Sequence, residues 1–205
     1  MLDIAAVSQR EAWAIAELYD TGGSVPRMQM LRFDGSRWQK YDLSSDRRAV
    51  LGSGTLGTPA LYAGAGSAWL FARVHHGPGT YSTPIAARFD GTHWLAVALP
   101  KESDMAGVAV LGPSDIWALG NPKQQTAWHW DGRGWTAIRL PLEARAPYVT
   151  GITGKVTEVD RNQAFRLAEI APVPGTDEAW GVGKVELGAF GDANFSRAVI
   201  VRYRP

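Results

Sequence analysis

One phrase, written four times, constrains this chain more than anything else in it. SQREAWAIA at 8–16, GAGSAWLFA at 64–72, GPSDIWALG at 112–120 and GTDEAWGVG at 175–183 each set a tryptophan among small and apolar residues. The four tryptophans, Trp13, Trp69, Trp117 and Trp180, lie 56, 48 and 63 residues apart. A second phrase follows the first three: LRFDGSRW at 31–38, ARFDGTHW at 87–94 and WHWDGRGW at 128–135. Each runs from an aromatic residue through Asp-Gly and two further residues to Trp. Asp-Gly between apolar segments marks a tight β-hairpin, because the turn needs positive backbone torsions that glycine accepts. Two hairpin phrases recurring at this period define a repeat architecture.

Each repeat then holds four short strands, which in the third repeat fall at about 107–111, 116–120, 126–130 and 135–139. Four strands per repeat predict an all-β chain of the β-propeller type, with about four four-stranded blades. The blades are expected at 2–43, 59–100, 105–141 and 166–205, in a single propeller domain with an insertion at 142–165. Leu2 to Tyr19 reads as helical by composition, but its alignment with GPSDIWALG predicts strand, turn, strand. Aligning residues 31–35 with 201–205 sets Arg204-Pro205 where Asp-Gly stands elsewhere. The fourth blade is therefore expected to be incomplete, and the chain to be part of a larger propeller or to be completed by a partner. An unpaired strand there is expected to favour self-association.

Ser114-Asp115-Ile116-Trp117-Ala118-Leu119-Gly120 and His129-Trp130-Asp131-Gly132-Arg133-Gly134-Trp135 resemble the repeat of bacterial, often actinobacterial, secreted β-propellers. In that repeat S-x-D-[VI]-W-A-[VL]-G alternates with H-[WFY]-D-G-x-x-W. The resemblance covers nearly the whole chain; it implies architecture and an extracellular location, and no particular activity. The hairpin is also similar to the Asp-box turn of sialidase-like and photosystem-assembly-like propellers. There the glycine stands two residues after Asp, which sets the present turn apart. Kelch-type propellers, galactose oxidase among them, share the Gly- and Trp-rich character. The Cys–Tyr cofactor of that oxidase is excluded by the absence of cysteine.

Composition closes off several function classes. With 21 Lys+Arg against 20 Asp+Glu, the net charge of +1 gives no global electrostatic case for a nucleic acid or an anionic membrane. The absence of Cys excludes disulfides, thiolate nucleophiles and thiolate metal sites. No apolar run approaches the roughly 18 residues a membrane helix needs, and Met-Leu-Asp does not open a signal peptide.

Few residues stand out as chemistry. The residue before the hairpin aromatic is Arg32, Arg88, His129 or Arg202, and the residue two before the signature Trp is Glu11, Ser67, Asp115 or Glu178. A cationic donor in every blade and an acid in three of four predict an intrablade pair or a turn-capping interaction rather than a ring of Arg residues that grips an anion. Asp34, Asp90 and Asp131 are expected to cap their turns, not to bind calcium or act as catalytic acids. Trp38, Trp94 and Trp135 are expected to be wedges between blades, and Trp128, unique to one repeat, has no assigned role. His75-His76 would point to opposite faces of a strand and are read as solvated loop residues, not metal ligands. No Gly-x-Ser-x-Gly elbow occurs, the Gly52-Ser53-Gly54 and Gly64-Ala65-Gly66 fragments precede β segments rather than helices, and Glu158 with Asp160 is the one close acid pair on an insertion. No cofactor, metal site or catalytic residue is assigned.

In a four-stranded meander the loops joining strands 1–2 and 3–4 lie at one end, and those joining 2–3 and successive blades at the other. The first set is short and the second long and variable: 20–26, 44–59, 75–84, 142–166 and 184–197. Long loops on a rigid scaffold are where recognition concentrates. The candidate binding face is therefore Tyr19, Asp20, Arg47, Arg48, Tyr81, Tyr148, Arg161, Asn162, Phe190, Asp192 and Phe195. The expected function is a non-enzymatic binding or scaffold module for a protein or glycan. The alternative is a hydrolase or lyase with its site at the channel mouth of the same face.

Overall fold

The computed structural model describes residues 2–18, 27–42, 46, 50, 55–77, 82–100, 105, 107–120, 126–139, 164–173, 176, 178–186 and 197–203. They form fifteen strands. The first sheet holds β1 (Asp3–Ser8), β2 (Glu11–Leu18), β3 (Arg27–Phe33) and β4 (Trp38–Tyr41). The second holds β5 (Thr55–Gly64), β6 (Ser67–His75), β7 (Ser82–Phe89) and β8 (Trp94–Val97). The third holds β9 (Val108–Gly112), β10 (Asp115–Leu119), β11 (Thr126–Trp130) and β12 (Trp135–Arg139). The fourth holds β13 (Ala164–Pro172), β14 (Ala179–Glu186) and β15 (Arg197–Tyr203). Strand order in every sheet follows the chain. Successive antiparallel meanders of this kind are the blades from which β-propellers are built, so the chain is all-β and propeller-type, with three described strands in the fourth blade.

The segment that composition reads as helical is β1 and β2, joined at Gln9-Arg10, where Ser8 Oγ accepts the amide of Arg10 (3.1 Å). Its hydrophobic residues come in an unbroken run because both faces of β2 are covered: Trp13 and Ile15 lie on one face and Ala12 and Ala14 on the other, all buried. The turn between β5 and β6 is a two-residue loop, Ala65-Gly66, with φ of 47° and 77°. Positive φ at both central residues is the requirement of a type I′ hairpin, whose twist matches the strands it joins. Two positions depart from the β pattern. Asp46 and Val50 have helical backbone and are buried.

The four signature tryptophans occupy one register position. Trp13 stands opposite Arg32, Trp69 opposite Arg88, Trp117 opposite His129 and Trp180 opposite Arg202. Residues opposite one another in an antiparallel pair share a face, so each sheet has a signature face, carrying Trp and cation, and a reverse face.

The chain divides into two compact units, residues 1–103 with 110–114, and residues 104–109 with 115–205. In the first unit the core lies between two sheets. Trp13, Ile15 and Met30 on the signature face of the first sheet meet Leu61, Leu70, Ala87 and Trp94 on the reverse face of the second, with Val50 added. Trp94 is a true wedge, edge-on to Trp13 at 5.0 Å between ring centroids. Asp3 adds a polar link, its carboxylate accepting the amide of Leu61 (2.6 Å). In the second unit β10 packs against β13, and Ile116, Leu119, Ile170, Ala179 and Val199 are buried. Gly107 lets the backbones close up there: a Cβ on it would sit 2.6 Å from Glu169 Cα and 2.8 Å from Ile170 N. The wedge expectation fails for Trp38 of the first hairpin. Trp38 is exposed and lies on Phe33 of its own hairpin.

Candidate functional site

At one end of the sheets stand the Asp-Gly turns. In each, the glycine is the first of two loop residues and alone takes positive φ: Gly35 at 94°, Gly91 at 105°, Gly132 at 92°. That is the place a type II′ hairpin reserves for glycine, and the aspartate precedes the loop instead of sharing its torsions. The aspartate's role lies in its side chain. Asp90 Oδ1 accepts the amides of Thr92 and His93 (both 2.8 Å), Asp131 Oδ1 those of Arg133 (2.8 Å) and Gly134 (2.9 Å), and Asp34 Oδ1 those of Ser36 (2.9 Å) and Arg37 (3.0 Å). These bonds exist for the ionised carboxylate, so all three groups are held below the usual carboxylate range, with the amide three residues on as the main cause. An acid held ionised has no proton to donate, and the turn role assigned from sequence stands.

Next to the turns lie the paired acidic and basic side chains. Arg32 binds Glu11 through Nε (3.1 Å) and a terminal nitrogen (2.8 Å), His129 Nε2 lies 2.9 Å from Asp115 Oδ1, and Arg202 Nε donates to Glu178 (2.9 Å). The basic side chain also covers the signature ring: Arg32 sits 5.4 Å from the Trp13 centroid and Arg202 5.6 Å from that of Trp180, and the His129 ring stacks on Trp117 at 4.5 Å. In the first, third and fourth sheets the acid thus orients the basic side chain over the tryptophan. In the second sheet Ser67 replaces the acid and its hydroxyl accepts Trp69 Nε1 (3.1 Å), the same service Asp115 gives Trp117 (3.0 Å).

A third group was not foreseen. Buried Asp46 accepts the amide of Trp94 (2.9 Å) and the hydroxyl of Tyr41 (2.8 Å), while the Thr92 carbonyl lies 3.0 Å from the same hydroxyl. Burial, and then the Asp46 carboxylate, push the Tyr41 hydroxyl up from its ordinary value, so it stays protonated and donates. Asp46 sits in a polar stretch, Ser44-Ser45-Asp46-Arg47-Arg48, with the look of a solvated loop; no sequence signal marked it.

Tyr19, Asp20, Arg47, Arg48, Tyr81, Tyr148, Arg161, Asn162, Phe190, Asp192 and Phe195 all lie outside the described residues, as do Glu158 and Asp160. The strands that lead into them are described. In each sheet the connections after its second strand leave from the end opposite the short turns, as the meander requires. His75 closes β6 and is exposed, and His76 contacts Thr83 Oγ1 (2.9 Å). Among the described residues no group of three or more His, Cys, Asp or Glu is placed to hold a metal, and no helix is long and apolar enough to cross a membrane.

No family model matches the chain, and no curated protein matches it. Solved structures similar to it include YCF48 from Cyanidioschyzon merolae (13% identity, TM-score 0.41, 90% of this chain and 65% of that one). A fucose-specific lectin from Aleuria aurantia is similar at 12% identity and TM-score 0.46, over 98% of this chain and 60% of the lectin. The GH43 protein BlXynB from Bacillus licheniformis is similar at 10% identity and TM-score 0.44, over 98% and 38%. The chain spans less than two thirds of the length of each. No residue here takes a role from them.

Proposed function

We propose that this chain is a non-enzymatic binding or scaffold module, acting outside the cell, that engages a protein or glycan through the long connections at one end of its sheets. One observation carries the reading: the two ends of each meander are built differently. At the short-turn end three aspartates bind their own turn backbone, and three acidic side chains are held by basic ones of the same sheet, in the Asp34, Asp90 and Asp131 turns and the Glu11–Arg32, Asp115–His129 and Glu178–Arg202 pairs. The other end sends out long connections rich in Tyr, Arg, Asp and Phe, residue types that suit recognition of peptides and sugars.

The test is a glycan array and a panel of extended peptides, followed by single substitutions on any ligand found. Tyr81→Ala, Tyr148→Ala and Arg161→Ala are expected to weaken binding at least about tenfold each, as tyrosine and arginine anchors do. Thr92→Ala and Arg133→Ala, at the short turns, are expected to leave it unchanged. Loss of binding from the short-turn pair alone overturns the reading. Turnover of the ligand, seen as new product by mass spectrometry, favours a hydrolase or lyase instead.

A further inference from the structure

In three sheets an acid two residues before the signature tryptophan holds the basic residue opposite that tryptophan: Glu11 binds Arg32, Asp115 binds His129 and Glu178 binds Arg202. The second sheet keeps the base and lacks the acid. Arg88 stands opposite Trp69, and Ser67 takes the place of Glu11. Among the described residues no carboxylate pairs with Arg88. Asp90, two residues on, is held ionised by the amides of His93 and Thr92, and Arg88 is the least of its causes. Asp34 makes the same turn bonds in the first sheet, where Arg32 is nevertheless held by Glu11, so the turn aspartate does not do the work of the missing acid.

Ser67 is unusual in its own right. It is 7% exposed, and its Oγ accepts Trp69 Nε1 (3.1 Å), which leaves its hydroxyl proton without an acceptor among the described residues. A buried hydroxyl with an unmade bond is costly, and so is a half-buried guanidinium with no counter-charge. The two donors converge. Residues two apart on a strand share a face, and the diagonal from Ser67 to Arg88 across β6 and β7 is the one from Glu11 to Arg32 across β2 and β3. A serine hydroxyl ends well short of where a glutamate carboxylate reaches, so the fork of Arg88 is left for another acceptor.

We propose that Ser67 and Arg88 form a binding site for a carboxylate supplied from outside the chain. One carboxylate oxygen would accept the Ser67 hydroxyl, and the group as a whole would accept the guanidinium fork, the arrangement in which Arg–carboxylate bonds are strongest. The chemistry of the occupant is specified by the chain itself, because the same place in the other three sheets is filled by the carboxylate of an acidic side chain. The neighbouring Trp69 ring is fully buried, so the polar contact would form against an apolar wall, where it is stronger than in water. This site lies at the short-turn end and is separate from the long connections proposed above to hold a protein or glycan.

The experiment is heteronuclear NMR of the full chain, reading Arg88 Nε–H and Trp69 Nε1–H while sodium acetate replaces sodium chloride at constant ionic strength. Both signals are expected to follow one saturable curve with a dissociation constant of about 1–10 mM, the scale of a single charge-assisted carboxylate contact. Ser67→Ala should weaken binding about three- to tenfold, and Arg88→Gln should abolish saturation. Ser67→Glu gives the second sheet the acid that the first and fourth already have. Its Arg88 signal should start near the acetate-saturated position of wild type and ignore added acetate. Near-ultraviolet circular dichroism matching wild type shows that the variants fold. Acetylglutamate amide and glucuronate form two further arms: tighter binding of the first names an acidic peptide as the source, and of the second a sugar acid, and the site stands in either case. Wild type without a saturable shift overturns the proposal, as does a shift that survives Arg88→Gln, which would be adventitious anion binding. Binding that appears only in Asp90→Asn overturns it too, because Asp90 would then be the acid that Arg88 already serves.

Discussion

Gly91 and Gly134 stand in equivalent hairpins, and alanine at the two positions should act in opposite directions. Neither glycine has any atom within 4 Å of where a Cβ would go, so steric clash plays no part at either. They differ in backbone. Gly91 has φ of +105°, beyond the small left-handed region open to other residues, whereas Gly134 is not in positive φ. A side chain at Gly91 costs about 1–3 kcal/mol of strain, offset by about 0.4–1 kcal/mol from the reduced freedom of the unfolded chain. The net is about 1–2 kcal/mol of destabilisation, a Tm lower by about 2–8 °C if the chain melts as a whole. At Gly134 only the unfolded-chain effect operates, and Gly134→Ala should stabilise by about 0.4–1 kcal/mol. Gly91→Val should exceed Gly91→Ala, and Thr92→Ser should be close to silent. Urea unfolding followed by tryptophan fluorescence reads all four. Equal midpoints for Gly91→Ala and Gly134→Ala would show that the glycine after Asp is not there for its torsion.

Other perturbations follow from the same structure. Trp13→Ala should cost about 3–5 kcal/mol and Trp180→Ala less than about 1 kcal/mol in the monomer, since one ring is buried and the other exposed; chemical denaturation of dilute protein compares them. Ala65→Gly should raise stability by about 0.5–1 kcal/mol in the same assay, relieving a left-handed alanine at φ 47°. The depressed carboxyls of Asp34, Asp90 and Asp131 contribute stability that is complete above the unfolded carboxyl pKa of about 3.9 and is lost as pH falls toward their lower folded values. A Tm-against-pH curve should therefore fall below about pH 4 and fall less in Asp90→Asn, whose amide oxygen still accepts hydrogen bonds without titrating.

Strand order, hairpin positions and ion pairing were legible because each rests on residues close in sequence or on a repeat. Asp90-Gly91 specifies its own turn. The repeat corrected the helical look of residues 2–19, since a fully covered strand such as β2 carries no alternation for periodicity to detect. Burial was less legible. Trp38 and Trp94 are the same letter in the same phrase, yet one is exposed and the other lies in the core, because burial depends on which sheet faces the residue. Asp46 and Gly107 were illegible for a related reason: what makes them matter is Trp94 in one case and the Glu169–Ile170 backbone in the other, each dozens of residues away.

The aspartate turns also open a route to engineering. In the second hairpin Asp90 holds Thr92 and His93 through their amides, so the turn geometry does not depend on which side chains those two residues bear. Thr92 and His93 therefore form a two-letter cassette that can be randomised without retuning the scaffold, and Arg133-Gly134 forms another. A library built on these cassettes would present its diversity at the end of the sheets away from the long connections. A reagent selected there would leave the long-connection end clear.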